Sequence, residues 1–214
     1  VIPREARRIT YSTEIRNLKK SLSLSDYQQS VVIGTLLGDG SLAANWSKTN
    51  FSLQVAHSVK QKTYILWKYG ILKDWILSKP RYYSRNNSIT IKTISHPEIS
   101  QLAMLFYPHG RKVMPDNIKE LIHDPIILAV WYMDDGNIIK RNGTVYGYHL
   151  NTQSFGKREN IILSQALNDV YGIESMLELN HGRYRLRIMK KKSRNKFQGI
   201  IRKYILPEME YKLS

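Results

Sequence analysis

Two stretches of the chain end in the same way. Ile33-Gly34-Thr35-Leu36-Leu37-Gly38-Asp39-Gly40 and Ala129-Val130-Trp131-Tyr132-Met133-Asp134-Asp135-Gly136 are each apolar for several residues, then close on an acid followed by glycine. If each stretch is a helix, the acid stands at the negative end of the helix dipole, where it is locally unfavourable. A carboxylate beside a row of unpaired carbonyls gathers hard oxygen atoms, and that set suits a divalent cation. Gly34 and Gly38 share one helix face. With no side chains there, a second helix can approach backbone to backbone. Two such helices side by side would bring Asp39 and Asp135 together. Asp-Gly is also a common turn dipeptide, so either stretch alone reads equally well as an acidic helix cap. Two copies in matched positions of a strongly basic chain favour chemistry. The second copy carries Val130 and Asp134 where a small residue would ease the crossing, which leaves the symmetry of the helix contact open but not the acids.

A second pattern concerns a polyanion. In a strand, alternate residues share a face. Arg183, Arg185 and Arg187 would lie on one face, with Tyr184, Leu186 and Ile188 on the other. Three arginines in register repel unless a polyanion lies opposite, and arginine is the preferred bidentate reader of guanine edges. The plain alternative is a solvated basic face. By the same alternation Ser52 and Gln54, Thr90 and Lys92, and His149, Asn151 and Gln153 would face nucleic acid, and a two-stranded ribbon fits the major groove. Arg81, Arg85, Lys140 and Arg141 sit in or near hairpin turns and suit phosphate contacts. Lys190, with Lys191 and Lys192, is either a phosphate clamp or merely solvated. His57, His96, His109, His123 and His181 show no ligand spacing and read as structural or surface residues, and Trp67 and Trp75 read as core.

Composition bounds these readings. Lys plus Arg is 33 against 17 Asp plus Glu, a formal charge of +16 over 214 residues. That excess points to a polyanionic partner, most simply nucleic acid. The absence of cysteine excludes disulfides and any Cys-containing zinc site. Apolar residues at 42% mark a globular chain. No apolar run reaches the ~18 residues of a membrane span, and the basic start of the chain has no hydrophobic signal core. The expectation is an intracellular, non-secreted, non-membrane protein, in an organelle or a prokaryotic cytoplasm.

The elements that must position these residues come in a repeated order. Residues 1–23 read as a basic arm, either solvated or in contact with phosphate. Ser25-Asp26-Tyr27-Gln28 is a capping box opening the first motif helix. Phe51, Leu53 and Val55 alternate as a strand. Ser58 to Gln61 and Ser95 to Glu98 read as two further capping boxes, with a hairpin around Asn86-Asn87 between their helices. Asp124-Pro125 opens the second motif helix. Hairpins turning at Asn142-Gly143 and His181-Gly182 flank a helix over 157–171, and a last helix is expected over 194–205. Each half thus reads helix, two strands, helix, two strands, helix, in a repeat of about 95 residues. Residues 24–115 and 116–214 are the expected halves, related by a pseudo-two-fold axis.

With these motifs in hand, the chain resembles the LAGLIDADG homing endonucleases in their single-chain, two-motif form, and within them the branch of the yeast mitochondrial omega-intron endonuclease. The likeness lies in Leu36-Leu37-Gly38-Asp39, Trp131-Tyr132-Met133-Asp134-Asp135-Gly136, Leu150-Asn151-Thr152-Gln153-Ser154-Phe155, and Tyr204-Ile205-Leu206-Pro207 with Tyr211-Lys212-Leu213. The resemblance implies an α+β fold of two pseudo-symmetric αββαββα halves, with motif helices at their interface and two antiparallel sheets forming a DNA-binding saddle. It carries the metal-binding acids onto Asp39 and Asp135, with the carbonyls of Gly38 and Asp134 as further ligands. It places Lys112 and Lys212 near the scissile phosphates, although either could be an ordinary surface charge.

The implied activity is Mg2+-dependent hydrolysis of both strands of a long asymmetric DNA target by a monomer, with Mn2+ able to stand in for Mg2+. A group I intron host and intron homing are implied too. The rival from another class is an RNA maturase that binds its own intron RNA, alone or as a second activity. A DNA-binding relic without nuclease activity would have lost an acid, and none is lost. A nuclease embedded in an intein is not expected, because the chain lacks cysteine and has no His-Asn ending.

Overall fold

The computed structural model describes residues 13–214; Arg4, Arg7 and Arg8 of the expected arm lie outside them. Two compact units emerge. One holds the described residues up to Gln29 together with Gly40–Ala103, and the other holds Ser30–Asp39 with Met104–Ser214. Among the described residues no helix is long and apolar enough to cross a membrane.

In the first unit, α1 (Thr13–Ser21) is a packed helix rather than a tail. Ile15 is buried, Lys19 Nζ donates to Ser95 Oγ at 3.3 Å, and the Lys19 carbonyl lies 2.8 Å from His96 Nε2. A buried apolar side chain and polar anchors at Lys19 tie down a short basic segment that composition alone marks as solvated. The capping box before α2 (Asp26–Leu37) forms in both directions: Gln28 N donates to Ser25 Oγ, and Ser25 N donates to Gln28 Oε1.

The sheet of this unit comprises β1 (Ser41–Ala44), β2 (Phe51–Ser58), β3 (Arg81–Tyr83) and β4 (Ser88–Lys92), in the antiparallel order β1-β2-β4-β3. Leu53, Val55, Ile89 and Ile91 are buried on its core side. The other two expected capping boxes do not form. Ser58 caps a short 3-10 turn, accepting from Lys60 N, before α3 (Lys62–Ile71) begins. His96 Nδ1 takes the Glu98 N–H at the start of α4 (Pro97–Phe106), while Glu98 accepts from Leu24 N. Trp75 is buried, and half-buried Trp67 stacks on Tyr64.

In the second unit, the short α5 (Ile118–Leu121) precedes α6 (Pro125–Asp135). Asp124 Oδ1 accepts from Ile126 N at 3.1 Å and Pro125 opens the helix, as the residue types require. β5 (Gly136–Arg141) and β6 (Thr144–Leu150) turn through Asn142 and Gly143 at φ 48° and 76°. β7 (Met176–Asn180) and β8 (Arg183–Ile188) turn through His181 and Gly182 at φ 48° and 76°. Positive φ at both central residues is the tight hairpin geometry matched to strand twist.

α7 (Lys157–Tyr171) ends at Gly172, φ 60°. α8 (Lys191–Ile201) starts and stops earlier than its sequence pattern suggests, because the chain tightens into a 3-10 turn at Arg202–Tyr204. The strand order β5-β6-β8-β7 repeats that of the first unit. Tyr148, Leu150, Leu186 and Ile188 are buried on the core side, where Tyr148 and Tyr132 pack on Phe197 with centroids 5.0 Å away.

Candidate metal centre and nucleic-acid interface

Two apolar helices cross at the centre of the second unit: the Ser30–Leu37 part of α2 and all of α6. The crossing is closer than ordinary side chains permit. A Cβ built on Gly34 would lie 2.7 Å from the Ile127 carbonyl oxygen and 2.8 Å from Val130 Cβ. One built on Gly38 would lie 2.4 Å from Asp134 Cβ. Val130 and Asp134 hold the positions in the second motif that Gly34 and Gly38 hold in the first. Each glycine therefore faces its own counterpart, as a two-fold crossing requires. The side chains missing from one helix leave the room that those of the other fill, so Val130 and Asp134 complete the contact rather than spoil it. Gly136 is also obligatory, since its Cβ would overlap the Tyr132 ring at 2.0 Å.

This crossing brings the acids together. Asp39 N donates to Asp134 Oδ2 at 3.4 Å, and oxygens of the Asp39 and Asp134 carboxylates lie within 4.8 Å of each other. Asp134 is buried and Asp39 exposed. Burial, then the charges of Asp39 and Asp134, push the Asp135 carboxyl up to about 7, against the pull of Lys112 and Lys212. Three carboxylates held at two helix ends form a hard-oxygen donor set, and these residues fit a divalent cation.

Both lysines lie at the same helix ends. Lys112 Nζ donates to the Gly38 carbonyl at 2.9 Å. Lys212 is buried and its Nζ donates to the carbonyls of Met133 at 2.5 Å, Asp134 at 3.3 Å and Tyr132 at 3.4 Å. Tyr132 Oη donates in return to the Lys212 carbonyl at 2.6 Å. Each ammonium thus complements the negative end of one motif helix. Burial lowers the Lys112 pKa below the usual lysine value, and the charges of Asp135, Asp134 and Asp39 oppose that shift. Lys212 arrives on the 3-10 turn Pro207–Lys212. The carbonyls of Gly38 and Asp134 accept from these ammonium groups.

The strand residues expected to face nucleic acid sort cleanly by register. Gln54 pairs with Lys92 and Arg81 with Thr90, on the side of the first sheet away from its core. Ser52 shares that side but is buried, donating to the Ala43 carbonyl at 3.2 Å. Arg85 is exposed in the β3–β4 turn. In the second sheet Arg183, Arg185 and Arg187 do share one face, and His149 pairs with Arg187 on it. The expected mutual repulsion is offset from within the chain: Glu178 pairs with Arg185 and binds both Arg185 and Arg187. Gln153 reaches Asn180 at 3.4 Å. Lys140 and Arg141 are exposed at the end of β5, with Arg141 over the Tyr146 ring. Lys190 pairs with Glu174 rather than standing free.

The sequence pattern of the LAGLIDADG DNA endonuclease family matches residues 29–197. The chain belongs to this family. It is 30% identical to the probable intron-encoded endonuclease 1 of Wickerhamomyces canadensis, covering 93% of this chain and 89% of that one. Mycobacterial relatives include the RecA protein of Mycolicibacterium flavescens, 27% identical over 89% of this chain; the chain spans 47% of that protein's length. Among solved structures, the homing endonuclease I-WcaI bound to its DNA recognition sequence matches with a TM-score of 0.85, at 27% identity and 95% and 93% coverage of the two chains. This LAGLIDADG chain has the α+β fold with two four-stranded antiparallel sheets that its motifs imply.

Sequence reasoning missed two features of this LAGLIDADG site. One is the Asp134 side chain: as the residue before the motif acid it was expected to offer only a carbonyl, yet its carboxylate faces the first motif's end. Its alignment with Gly38 was the available signal, since a carboxylate opposite a glycine has space to enter. The other is Glu178, an acid directly cross-strand from Arg185 that binds Arg185 and Arg187, which the alternation of β7 could have revealed.

Proposed function

We propose that this chain is a site-specific homing endonuclease that makes a double-strand break in a long asymmetric DNA target, using Mg2+ or Mn2+. The observation that carries the reading is the convergence of Asp39, Asp134 and Asp135 at the crossing of the two motif helices, in a family of DNA endonucleases. Asp39 and Asp135 would hold the cations, with the Gly38 and Asp134 carbonyls contributing. A bound Mg2+ lowers the pKa of its water and neutralises charge that develops on the phosphate.

The chain's own residues supply the rest. Lys112 and Lys212 are anchored to backbone carbonyls, so their charges are fixed in place before substrate arrives. They offset negative charge as water oxygen bonds to phosphorus and the bond to the 3′ oxygen breaks, leaving a 3′-hydroxyl and a 5′-phosphate. The non-core faces of the two sheets would bind the duplex, with Gln54, Lys92, Asn151, Arg183, Arg185 and Arg187 at base edges and Arg81, Arg85, Lys140 and Arg141 on phosphates.

The test is selection of cleaved sites from randomised duplexes with Mg2+ or Mn2+. Wild type should break both strands at one preferred site, whereas Asp39→Asn and Asp135→Asn should bind that site and lose at least ~100-fold in rate, the scale on which removing one group that stabilises transition-state charge is felt. Tight binding without cutting in either metal overturns the reading. Preferential binding of structured intron RNA over duplex DNA would replace it with an RNA-binding role.

A further inference from the structure

Glu178 stands in the middle of a surface that otherwise collects positive charge. It lies on β7 directly across from Arg185, on the face away from the core. Its Oε2 accepts from Arg185 Nε at 2.7 Å and its Oε1 from Arg187 Nη1 at 2.9 Å. His149 Nε2 lies 2.8 Å from the same carboxylate without making an aligned hydrogen bond. Burial alone would push the Glu178 carboxyl up, but the Arg185 hydrogen bond, His149 and the two arginines outweigh it and hold it below the usual range. The group is a carboxylate whose two oxygens are both engaged.

The contacts continue around a closed circuit. Arg185 Nη1 donates to Asn151 Oδ1 at 3.3 Å, Asn151 Nδ2 donates to Asn137 Oδ1 at 3.0 Å, and Asn137 Nδ2 donates to His149 Nδ1 at 3.2 Å. With Nδ1 accepting, the His149 proton sits on Nε2, towards Glu178. That assignment fits a histidine whose pKa is lowered, first by burial and then by Arg185. Side chains from all four strands of the sheet are thereby tied together.

We infer that Glu178 is a positioning residue for sequence recognition: it fixes the guanidinium groups of Arg185 and Arg187 so that their remaining N–H groups are presented in one orientation to guanine edges of a DNA duplex. This inference rests on the endonuclease reading above. A guanidinium has five N–H donors; Arg185 spends two on the circuit, and Arg187 spends one while its Nε is buried. The remaining Nη hydrogens are oriented before binding. An unanchored arginine samples many rotamers and contacts phosphates as readily as bases, so anchoring favours discrimination over raw attraction. An acid here weakens attraction to every phosphate while sharpening the reading of particular bases, and that trade explains a carboxylate on a DNA-facing surface. Because its oxygens already receive the arginines and face His149, Glu178 is not itself the reader of a cytosine amine.

The test compares wild type with Glu178→Gln and Glu178→Asp, scoring base preference at every target position and affinity for random duplex at one salt concentration. Melting temperatures are measured in parallel. Glu178→Gln should bind random duplex more tightly, since one negative charge is gone, and lose about 10-fold or more in preference at the same base pairs that Arg185→Ala and Arg187→Ala relax. Glu178→Asp keeps the charge but cannot span both arginines, so it should relax the same positions with random-duplex affinity unchanged. Unchanged base preference in both variants overturns the inference. So does a parallel loss of affinity for all sequences that tracks a fall in melting temperature, which is what a purely structural ion pair gives. Lost preference at a single cytosine unrelated to either arginine also overturns it. A wild type with no base preference at any position defeats the endonuclease reading itself, a result none of the variant comparisons can mimic.

Discussion

Asp135 shows how one residue can carry opposed demands. Its carboxyl, pushed up to about 7, keeps its proton more readily in the folded chain than in the unfolded one, where an aspartate titrates near ~3.9. The sign follows from proton linkage. Asp135 contributes stability that is fully present below the unfolded value and is lost as pH rises through the folded one. In EDTA, therefore, Asp135→Asn should gain melting temperature over wild type as pH goes from 5 to 8, and Mg2+ should narrow that gap by stabilising the ionised wild type. A difference that does not change with pH, followed by calorimetry, would contradict this. Gly38 is constrained by space instead. Gly38→Ala drives a methyl group to 2.4 Å from Asp134 Cβ, so it should destabilise by about 1–3 kcal/mol or more in denaturant titration.

Elements behave differently according to what they face. α2 and the residue that follows it meet α6 through Gly34 and Gly38, where an added Cβ would collide with Ile127, Val130 and Asp134. α8 also contains a glycine, Gly199, yet a Cβ there would meet nothing within 4 Å. Gly199→Ala should therefore stabilise the protein by about 0.4–1 kcal/mol through the unfolded chain's lost freedom. The contrast between Gly38→Ala and Gly199→Ala checks whether glycine serves helix crossing rather than helix flexibility. The ends of α2 and α6 depend on ammonium groups from distant segments. Lys212→Met removes the donor to three carbonyls of α6 and should cost about 1–3 kcal/mol, read by thermal melts, because those acceptors stay buried.

For the whole molecule the dominant quantity is charge. At +16, attraction to duplex DNA should be strong and sensitive to salt. With about six phosphate contacts, affinity should fall roughly 10³-fold between 50 and 200 mM salt. Equilibrium titrations across that range check it, and a flat response would mean that the basic faces do not bind phosphate. The repeated strand order of the two sheets and the matched Gly34–Val130 and Gly38–Asp134 contacts trace the repetition down to single residues.

Much of this was legible along the chain because local chemistry decides it. Asn142-Gly143 and His181-Gly182 turn hairpins since Asn, His and Gly are among the residue types that settle most readily at positive φ, and Asp124-Pro125 and Gly172 bound helices for equally local reasons. Asp39 and Asp135 were recognisable because an acid and glycine after an apolar run occur twice. Three things were decided only by packing. The 13–21 segment packs as a helix with Ile15 buried; Ser58 caps a 3-10 turn instead of a capping box, and His96 rather than Ser95 takes the Glu98 N–H; and Glu178 met Arg185, Arg187 and His149 across strands. Spacing along the chain determines which face a side chain takes. Which partner waits on that face depends on register between strands, and register is a property of the assembled sheet.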